Sequence, residues 1–183
     1  MKKIIILDRD GVINKSCGWI LDPKDLILEQ DAAKAIFTLN SANIKVVVAT
    51  NQSPIGRGLL SENQLSSIHE KLQDDLWKTH NASIDAIYFC PDHPEKATNR
   101  RKPGNGMLLE ALQDFGAEAH NVPFVGDNII DLQAAEKTGC PGHFVLTGHG
   151  RAQEQNVKEK FPQAMVHTNL FSAVKWLMEN HFV

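Results

Sequence analysis

Short apolar runs of strand length alternate with helix-length segments along most of this sequence, and this alternation constrains the fold more than any other feature. The predicted strands are Ile4–Leu7, Ile44–Ala49, Ile84–Cys90, Pro123–Val125 and His143–Leu146. A continuous apolar run such as Ile4–Leu7 is typical of a strand that is buried on both faces. Strands that alternate with helices in this way indicate a parallel sheet with crossover helices.

Five segments carry apolar residues at helical spacing. Ser61 and Gln64 form a capping-box pattern at the start of one helix, which continues as an apolar stripe of leucine and isoleucine residues to Leu76. The other predicted helices are Asp31–Asn40, Met107–Phe115, Ile130–Thr138 and a final helix through Leu170, Phe171, Val174 and Leu177. The polar segment 150–163 carries no predicted element.

These elements predict an α/β fold, namely a doubly wound, Rossmann-like parallel sheet with helices on both faces. The 183 residues contain no internal repeat and no linker long enough to separate two domains. We therefore expect a single domain over residues 1–183, with the motif-bearing core at about 1–147 and a C-terminal extension at 150–183.

Charge and cysteine usage narrow the class of protein. The 19 Lys and Arg against 22 Asp and Glu give a net charge of −3, which excludes a broad basic surface for nucleic acid. The first apolar run ends at Asp8, well short of a secretory or membrane segment of about 7–20 residues. Cys17, Cys90 and Cys140 are odd in number and far apart, as reduced thiols would be. We expect a soluble, cytoplasmic monomer that binds neither nucleic acid nor membrane.

Polar groups follow three of the predicted strands directly, and a fourth group precedes a helix. They are Asp8–Gly11, Thr50–Ser53, Gly126–Asn128 with Asp131, and Arg101–Pro103. Functional groups of open α/β sheets lie outside the carboxyl ends of the strands, so all four are expected to converge on one edge. Each alone is weak evidence, since Asp and Thr often occupy turns. Asp131 fits either a structural role, as loop support or a helix cap, or a role in the site.

The carboxylates in these groups indicate phosphoryl transfer with Mg²⁺. Asp8 and Asp127 would repel each other unless a hard cation lay between them, and Mg²⁺ binds through one or two carboxylates plus a phosphate. Asp8 can attack phosphorus to form an aspartyl-phosphate, and Asp10 can protonate the leaving oxygen and then activate water. Thr50 and Lys102 can hold the transferring phosphoryl oxygens.

The four groups resemble, in order, the motifs of the haloacid dehalogenase (HAD) superfamily of phosphotransferases over about residues 1–147. The matching positions are Asp8–Asn14, Thr50, Lys102 and Gly126–Asp131. The resemblance implies a phosphatase with Asp8 as nucleophile and Asp10 as general acid/base. It also implies that Mg²⁺ is held by Asp8, the backbone carbonyl of Asp10, and Asp127.

Finer features are similar to one branch, the D-glycero-D-manno-heptose-1,7-bisphosphate phosphatases and the related histidinol-phosphate phosphatases. These features are the segments DRDGVIN, TNQSPIGRG, IYFCPDHP and RRKPGNGML. The resemblance implies hydrolysis of heptose 1,7-bisphosphate to heptose 1-phosphate, a precursor step for ADP-heptose and the lipopolysaccharide core. The implied substrate-binding residues are Ser16, Cys17, Gly18, Trp19, Thr50, Asn51, Gln52, Ser53, Arg101 and Lys102.

One departure concerns a structural zinc loop that the branch usually carries, with Cys-x-His after the third strand and Cys-x-Cys before Arg-Lys-Pro. The matching positions here are Cys90, Asp92, Thr98 and Arg100, so one of four ligands is present. A closed structural zinc site needs four N or S ligands, and we therefore expect no zinc.

About 40 residues separate Asp10 from Thr50 and about 50 separate Thr50 from Lys102, which leaves no room for a cap domain. Loops 11–21 and 91–101 are expected to cover an open cleft. His143 and His149 are interpreted as structural or solvated. The alternatives are a histidinol-phosphate or other small phosphomonoester phosphatase, a phospho-accepting receiver-type domain, and an inactive binding domain.

Overall fold

The computed structural model describes residues 3–182, and within this range six parallel strands form one sheet. The strands are β1 (Ile4–Leu7), β2 (Lys45–Asn51), β3 (Ala86–Cys90), β4 (Phe124–Gly126), β5 (Gly142–Val145) and β6 (Met165–His167). Their order across the sheet is β3-β2-β1-β4-β5-β6. The winding reverses between β1 and β4, which is the topological switch point of a doubly wound sheet, so the predicted fold class is confirmed.

Helices cover both faces of this sheet. They are α1 (Ala32–Ser41), α2 (Ser53–Gly56), α3 (Glu62–His80), α4 (Gly106–Phe115), α5 (Ile129–Thr138), α6 (Gly150–Lys160) and α7 (Leu170–Asn180). The predicted capping box at Ser61 and Gln64 is present at the start of α3. Among residues 3–182, no helix is long and apolar enough to cross a membrane.

The central strand β1 is held from both sides. Ile5 and Leu7 belong to the core that the sheet shares with α1, α3 and α7, whereas Ile4 and Ile6 belong to the core shared with α4 and α5. Burial of each such side chain stabilises the fold by about 1.5–3 kcal/mol. The packing of β1 in both cores therefore fixes the position at which the following loop begins.

Three of the labelled elements, α2, α6 and β6, lie where the sequence pattern predicts none. The four-residue α2 is too short to show a helical period. Gly150 and Val157 are the buried residues of α6, so this helix has no apolar stripe that periodicity could detect. β6 is a three-residue edge strand that pairs with β5. β2 also runs two residues beyond the predicted Ala49, which places Thr50 and Asn51 on the strand itself.

His143 is a buried histidine on β5 that sits in a cluster of rings. Its Nδ1 lies 3.0 Å from His167 Nε2, and both rings pack against Trp176. Burial, together with repulsion from His167 and His181, lowers the pKa of His143 to about 3. Between pH 6.5, the ordinary pKa of histidine, and pH 3, the His143 side chain therefore binds a proton in the unfolded chain but not in the folded state. Stability falls as the pH falls through this window.

We expect His143→Gln to reduce this acid sensitivity. Relative to the wild type, the loss of unfolding free energy between pH 7 and pH 5 should shrink by up to about 2 kcal/mol. Urea denaturation at the two pH values measures the difference. The exposed His80→Gln on α3 is the matched control and should behave as the wild type. An unchanged pH dependence in His143→Gln would contradict the prediction.

Candidate active site

A cleft of about 140 Å³ opens at the carboxyl ends of the central strands. It is lined by Asp8, Asp10, Ser16, Thr50, Asn51, Lys102 and Asp127, together with Asn128, Ile130 and His149. Asp8 and Asp127 follow β1 and β4, so the switch point itself brings them together. Larger cavities of about 210 and 350 Å³ contain none of the predicted site residues. Convergent chemistry rather than volume therefore identifies the site.

Three carboxylates meet in this cleft. Oxygens of Asp8, Asp127 and Asp131 lie within 4.8 Å of one another. Burial raises the pKa of Asp8 to about 7, against the attraction of Lys102 and with the repulsion of Asp131 and Asp10. Burial and the charges of Asp8 and Asp131 raise the pKa of Asp127 to about 8. Carboxylates that resist joint ionisation, in a compact set of hard oxygen donors, fit a Mg²⁺ ion.

Two loops approach the Asp127 carboxylate closely, and each has a glycine at the point of contact. Gly11 and Gly148 have φ angles of +82° and +53°, and a Cβ on either would collide with the Asp127 carboxylate. The backbone N–H of His149 donates to Asp127 Oδ2 at 2.7 Å. Thr147 Oγ1 donates to the carbonyl of Gly11 at 2.6 Å and ties the two loops together. Glycine is needed at both positions because the backbone lies directly against the carboxylate.

Lys102 is a buried ammonium at the centre of the site. Its Nζ lies 2.9 Å from Asp8 Oδ1 and 2.7 Å from Asp131 Oδ1, and the residue is 2% exposed. Burial acts to lower the pKa of Lys102, but the Asp131 and Asp8 carboxylates raise it above its ordinary value. An ammonium has three N–H donors, and two carboxylates face this one, which leaves one donor for an anion.

Asp131 has both of the functions between which the sequence left a choice. Its Oδ2 accepts a hydrogen bond from the backbone N–H of Asn128 at 3.0 Å and so caps α5, while its Oδ1 pairs with Lys102. The same carboxylate therefore stabilises the loop after β4 and holds the ammonium in the cleft.

Asn51 fixes the backbone of Lys102 to the end of β2. Its Nδ2 donates to the carbonyl of Lys102 at 3.0 Å, and its Oδ1 accepts from the N–H of Lys102 at 3.0 Å. Gln52 has a similar supporting position, because its Nε2 donates to Thr50 Oγ1 at 2.9 Å and to Asp10 Oδ2 at 3.0 Å. Thr50, Asn51 and Gln52 thus join the end of β2 to both sides of the cleft.

The Asp10 carboxylate is held apart from the three-carboxylate cluster. Arg9 Nη2 lies 2.9 Å from its Oδ1, Asn14 Nδ2 donates to Oδ1 at 2.9 Å, and Gln52 contacts Oδ2. Burial acts to raise the pKa of Asp10, but the Arg9 guanidinium and these hydrogen bonds hold it below its ordinary value. Any contribution of Asp10 to a cation would come from its backbone carbonyl, as the family resemblance implies.

Several predicted substrate-binding residues lie outside the cleft lining. Trp19 is 55% exposed, and the Arg57 guanidinium lies 5.3 Å from its ring centroid. Ser53 begins α2, and Arg101 Nη1 donates to the carbonyl of Asp92 at 3.3 Å. The residues in this group are Cys17, Gly18, Trp19, Gln52, Ser53 and Arg101. Their direct contact with substrate stays a prediction.

His149 lies at the cleft, which the interpretation as a structural or solvated histidine does not anticipate. Its Nε2 is 3.2 Å from Ser16 Oγ, across the mouth of the site. The signal that could have found it is the same carboxyl-end rule, because the Thr147–Gly148–His149 segment follows β5.

Comparisons with known proteins agree with this geometry. Residues 99–173 match the HAD-hydrolase-like family. The chain is 40% identical over 150 residues to the D-glycero-beta-D-manno-heptose-1,7-bisphosphate 7-phosphatase of Bordetella bronchiseptica, over 81% of this chain and 83% of that protein. It is 35% identical over 184 residues to the D-glycero-D-manno-heptose-1,7-bisphosphate 7-phosphatase of Thermosynechococcus vestitus, over 94% of each.

A solved structure is also similar over nearly the whole chain. It is the D,D-heptose 1,7-bisphosphate phosphatase from B. bronchiseptica, complexed with magnesium and phosphate. The TM-score is 0.89 and the identity 35%, over 97% of this chain and 98% of that one. The likeness therefore extends into the 150–183 segment as well as over the motif-bearing core.

Proposed function

Because this chain belongs to the HAD-like hydrolases, in the branch of the D-glycero-D-manno-heptose-1,7-bisphosphate 7-phosphatases, it is a phosphatase, and we propose that heptose 1,7-bisphosphate is its substrate. The reaction hydrolyses one phosphate monoester and leaves heptose 1-phosphate. The observation that carries the proposal is the convergence of Asp8, Lys102 and Asp127 in one cleft at the switch point of the sheet.

Asp8 is the nucleophile in this mechanism. Its Oδ1 faces Lys102 Nζ and accepts the backbone N–H of Arg9 at 2.7 Å. Within residues 3–182, Oδ2 accepts no hydrogen bond, and we assign the attack on phosphorus to this oxygen. The new bond joins Oδ2 to phosphorus as the bond from phosphorus to the sugar oxygen breaks, which gives an aspartyl-phosphate.

Asp10 is the general acid in the first half of the reaction and the general base in the second half. It gives a proton to the departing sugar oxygen, and in the second half it takes one from the water that attacks phosphorus. Its pKa is held low, so we assign the first proton to the incoming phosphate monoester. A phosphate monoester can supply that proton because its second pKa is about 6.

The chain's own donors complete the phosphate site. Lys102 Nζ and Thr50 Oγ1 are assigned to the phosphoryl oxygens, where negative charge must be stabilised. Mg²⁺ would be held by Asp8, Asp127 and the backbone carbonyl of Asp10, and when bound it neutralises charge on the transferring phosphoryl group.

No structural zinc is part of this proposal. Asp92 Oδ2 accepts hydrogen bonds from Thr98 N at 2.7 Å and from Thr98 Oγ1 at 2.6 Å, which close the loop after β3 without a metal. We expect elemental analysis to find no stoichiometric zinc, and Mg²⁺ alone to restore full activity after dialysis against a chelator. One tightly bound zinc ion per chain would overturn this expectation.

Arg101 is proposed to bind a distal part of the substrate, such as its second phosphate. Its planar fork suits bidentate recognition of an anion, and the contact with the Asp92 carbonyl orients it. We expect Arg101→Ala to lower kcat/KM for the bisphosphate by about 10-fold, and that for p-nitrophenyl phosphate by less than about twofold. The matched control is Arg100→Ala, since Arg100 pairs with Glu110 on α4 at 3.0 Å. Unchanged kcat/KM for the bisphosphate would refute the assignment.

A substrate panel tests the proposed function. With Mg²⁺ present, kcat/KM is measured for both anomers of heptose 1,7-bisphosphate, for histidinol phosphate and for other sugar monophosphates. We expect the heptose bisphosphate to have the highest value. A higher value for histidinol phosphate would move the chain to the related activity of the branch.

We further propose that the protein acts as a cytoplasmic monomer with one domain and no cap. Cys17, Cys90 and Cys140 are free thiols, as a reducing compartment allows. α6, β6 and α7 from the 150–183 segment pack on the same sheet as the core. Light scattering at micromolar concentration should give the mass of one chain, and a stable larger species would contradict the monomer.

A further inference from the structure

Arg9 is a buried cation that lies behind the proposed active site. It is 1% exposed, although it stands between Asp8 and Asp10 in the sequence. Burying a guanidinium is strongly unfavourable unless it is paired and hydrogen-bonded. Its Nη2 lies 2.9 and 3.0 Å from the two oxygens of Asp10, and its Nε lies 3.3 Å from Oδ1. The guanidinium therefore binds both oxygens of the Asp10 carboxylate.

His69 on α3 holds the other side of this guanidinium. Arg9 Nη1 lies 3.2 Å from His69 Nε2. Arginine only donates hydrogen bonds, so Nε2 must be the acceptor and the ring proton must be on Nδ1. Burial and the nearby Arg9 charge lower the pKa of His69 to about 4, which agrees with a neutral ring. Phe89 of β3 packs against the same ring at a centroid distance of 6.3 Å.

We propose that Arg9 and His69 are positioning residues that fix the orientation of the Asp10 carboxylate for proton transfer to the leaving group. The inference rests on the proposed function, because it concerns the group assigned there as general acid/base. His69 fixes the Arg9 guanidinium relative to α3, and the guanidinium in turn fixes the orientation of the Asp10 carboxylate. Proton transfer needs heavy-atom distances near 3 Å. Loss of either contact should therefore misplace the proton donor, Asp10, and leave the nucleophile, Asp8, in position.

The dependence on the leaving group separates this role from a merely structural one. A sugar alkoxide needs a proton as it departs, whereas p-nitrophenolate is stable enough to leave without one. A misplaced Asp10 should therefore slow formation of the aspartyl-phosphate from a sugar phosphate and spare it from p-nitrophenyl phosphate. A general loss of structure should slow both.

The experiment uses single turnovers with enzyme in excess and saturating Mg²⁺. We expect His69→Leu to slow phosphoryl transfer from the sugar phosphate by about 10-fold and Arg9→Met by about 100-fold, with p-nitrophenolate release within about threefold of the wild type in both. His69→Gln retains an acceptor and should recover most of the rate. His80→Leu on the same helix is the control.

Equal slowing with both substrates, or normal rates in His69→Leu, would overturn the proposal. If Arg9→Met fails to fold, the two His69 variants decide the question. A wild-type protein that does not act on heptose 1,7-bisphosphate would refute the proposed substrate only, because any alkyl phosphate that it hydrolyses gives the same comparison with the aryl ester.

Discussion

Replacement of Asp8 by asparagine is expected to lower the rate of phosphate release by at least about 10⁴-fold, in the range that loss of a catalytic nucleophile costs. Asparagine has nearly the same shape as aspartate, so the packing around β1 should survive. The amide cannot form the acyl phosphate that the carboxylate forms. The loss should therefore appear in kcat with little change in the fold.

The same variant is expected to be more stable than the wild type when no metal is present. The folded pKa of Asp8 is raised to about 7 and that of Asp127 to about 8, from an ordinary value of 3.8. Between these values the folded state holds more protons than the unfolded state, so wild-type stability falls as the pH rises from about 4 to about 8. Removing the Asp8 charge should raise metal-free stability at pH 8 by about 1 kcal/mol or more and flatten this slope.

Two measurements check the Asp8 prediction. Steady-state phosphate release gives the activity, and urea denaturation in chelator at pH 5 and pH 8 gives the stability. Asp74→Asn is the control, because Asp74 lies on the surface of α3 in an exposed pair with Lys78. Full activity in Asp8→Asn would refute the assigned mechanism. Equal pH slopes in variant and wild type would refute the electrostatic account.

Lys102→Met is expected to lose both activity and stability. Loss of a preorganised charge at a developing phosphoryl charge costs about 10²–10³ in kcat. The change also leaves Asp8 and Asp131 without their shared buried cation. Breaking a buried ion pair in this way destabilises by about 3–5 kcal/mol. For a chain of this size the melting temperature should fall by roughly 10 °C.

The pH dependence of this deficit supports or refutes its electrostatic origin. Without the ammonium, an ionised Asp8 has no buried cation beside it, so the deficit should be largest at pH 8 and smaller at pH 5, below the raised pKa of Asp8. Thermal melts in chelator at both pH values measure it. Lys96→Met, an exposed residue of the loop after β3, is the control. A deficit that does not change with pH would indicate a packing defect instead.

Five of the six strands described and most helices could be predicted because their apolar residues recur at the period of the element. Ile4–Leu7 is continuous in apolar residues and is buried on both faces, which is what a central parallel strand requires. α6 offers one buried apolar side chain, Val157, which packs in a cluster with Leu132 and Phe144. Periodicity contains no information about such an element.

The candidate site could be predicted where a motif follows a strand directly. Asp8 and Asp127 do so, Thr50 lies in the last pleat of β2, and the structure brings all three to one cleft. His69 lies on α3, far along the chain from Asp10, and reaches the site only through the side chain of Arg9. No local spacing encodes that contact, because it depends on how α3 packs against the sheet.

The paired hydrogen bonds between Asn51 and Lys102 have a consequence for turnover. The Asn51 side-chain amide donates one hydrogen bond to the Lys102 backbone and accepts one from it, as a peptide group of a neighbouring strand would. These two bonds tie the Lys102 backbone to the end of β2. The hydroxyl of Thr50 and the ammonium of Lys102 are consequently parts of one rigid body. The separation of these two groups is therefore set by the end of β2 rather than by loop 91–101. The phosphate site should therefore need no reassembly between catalytic cycles.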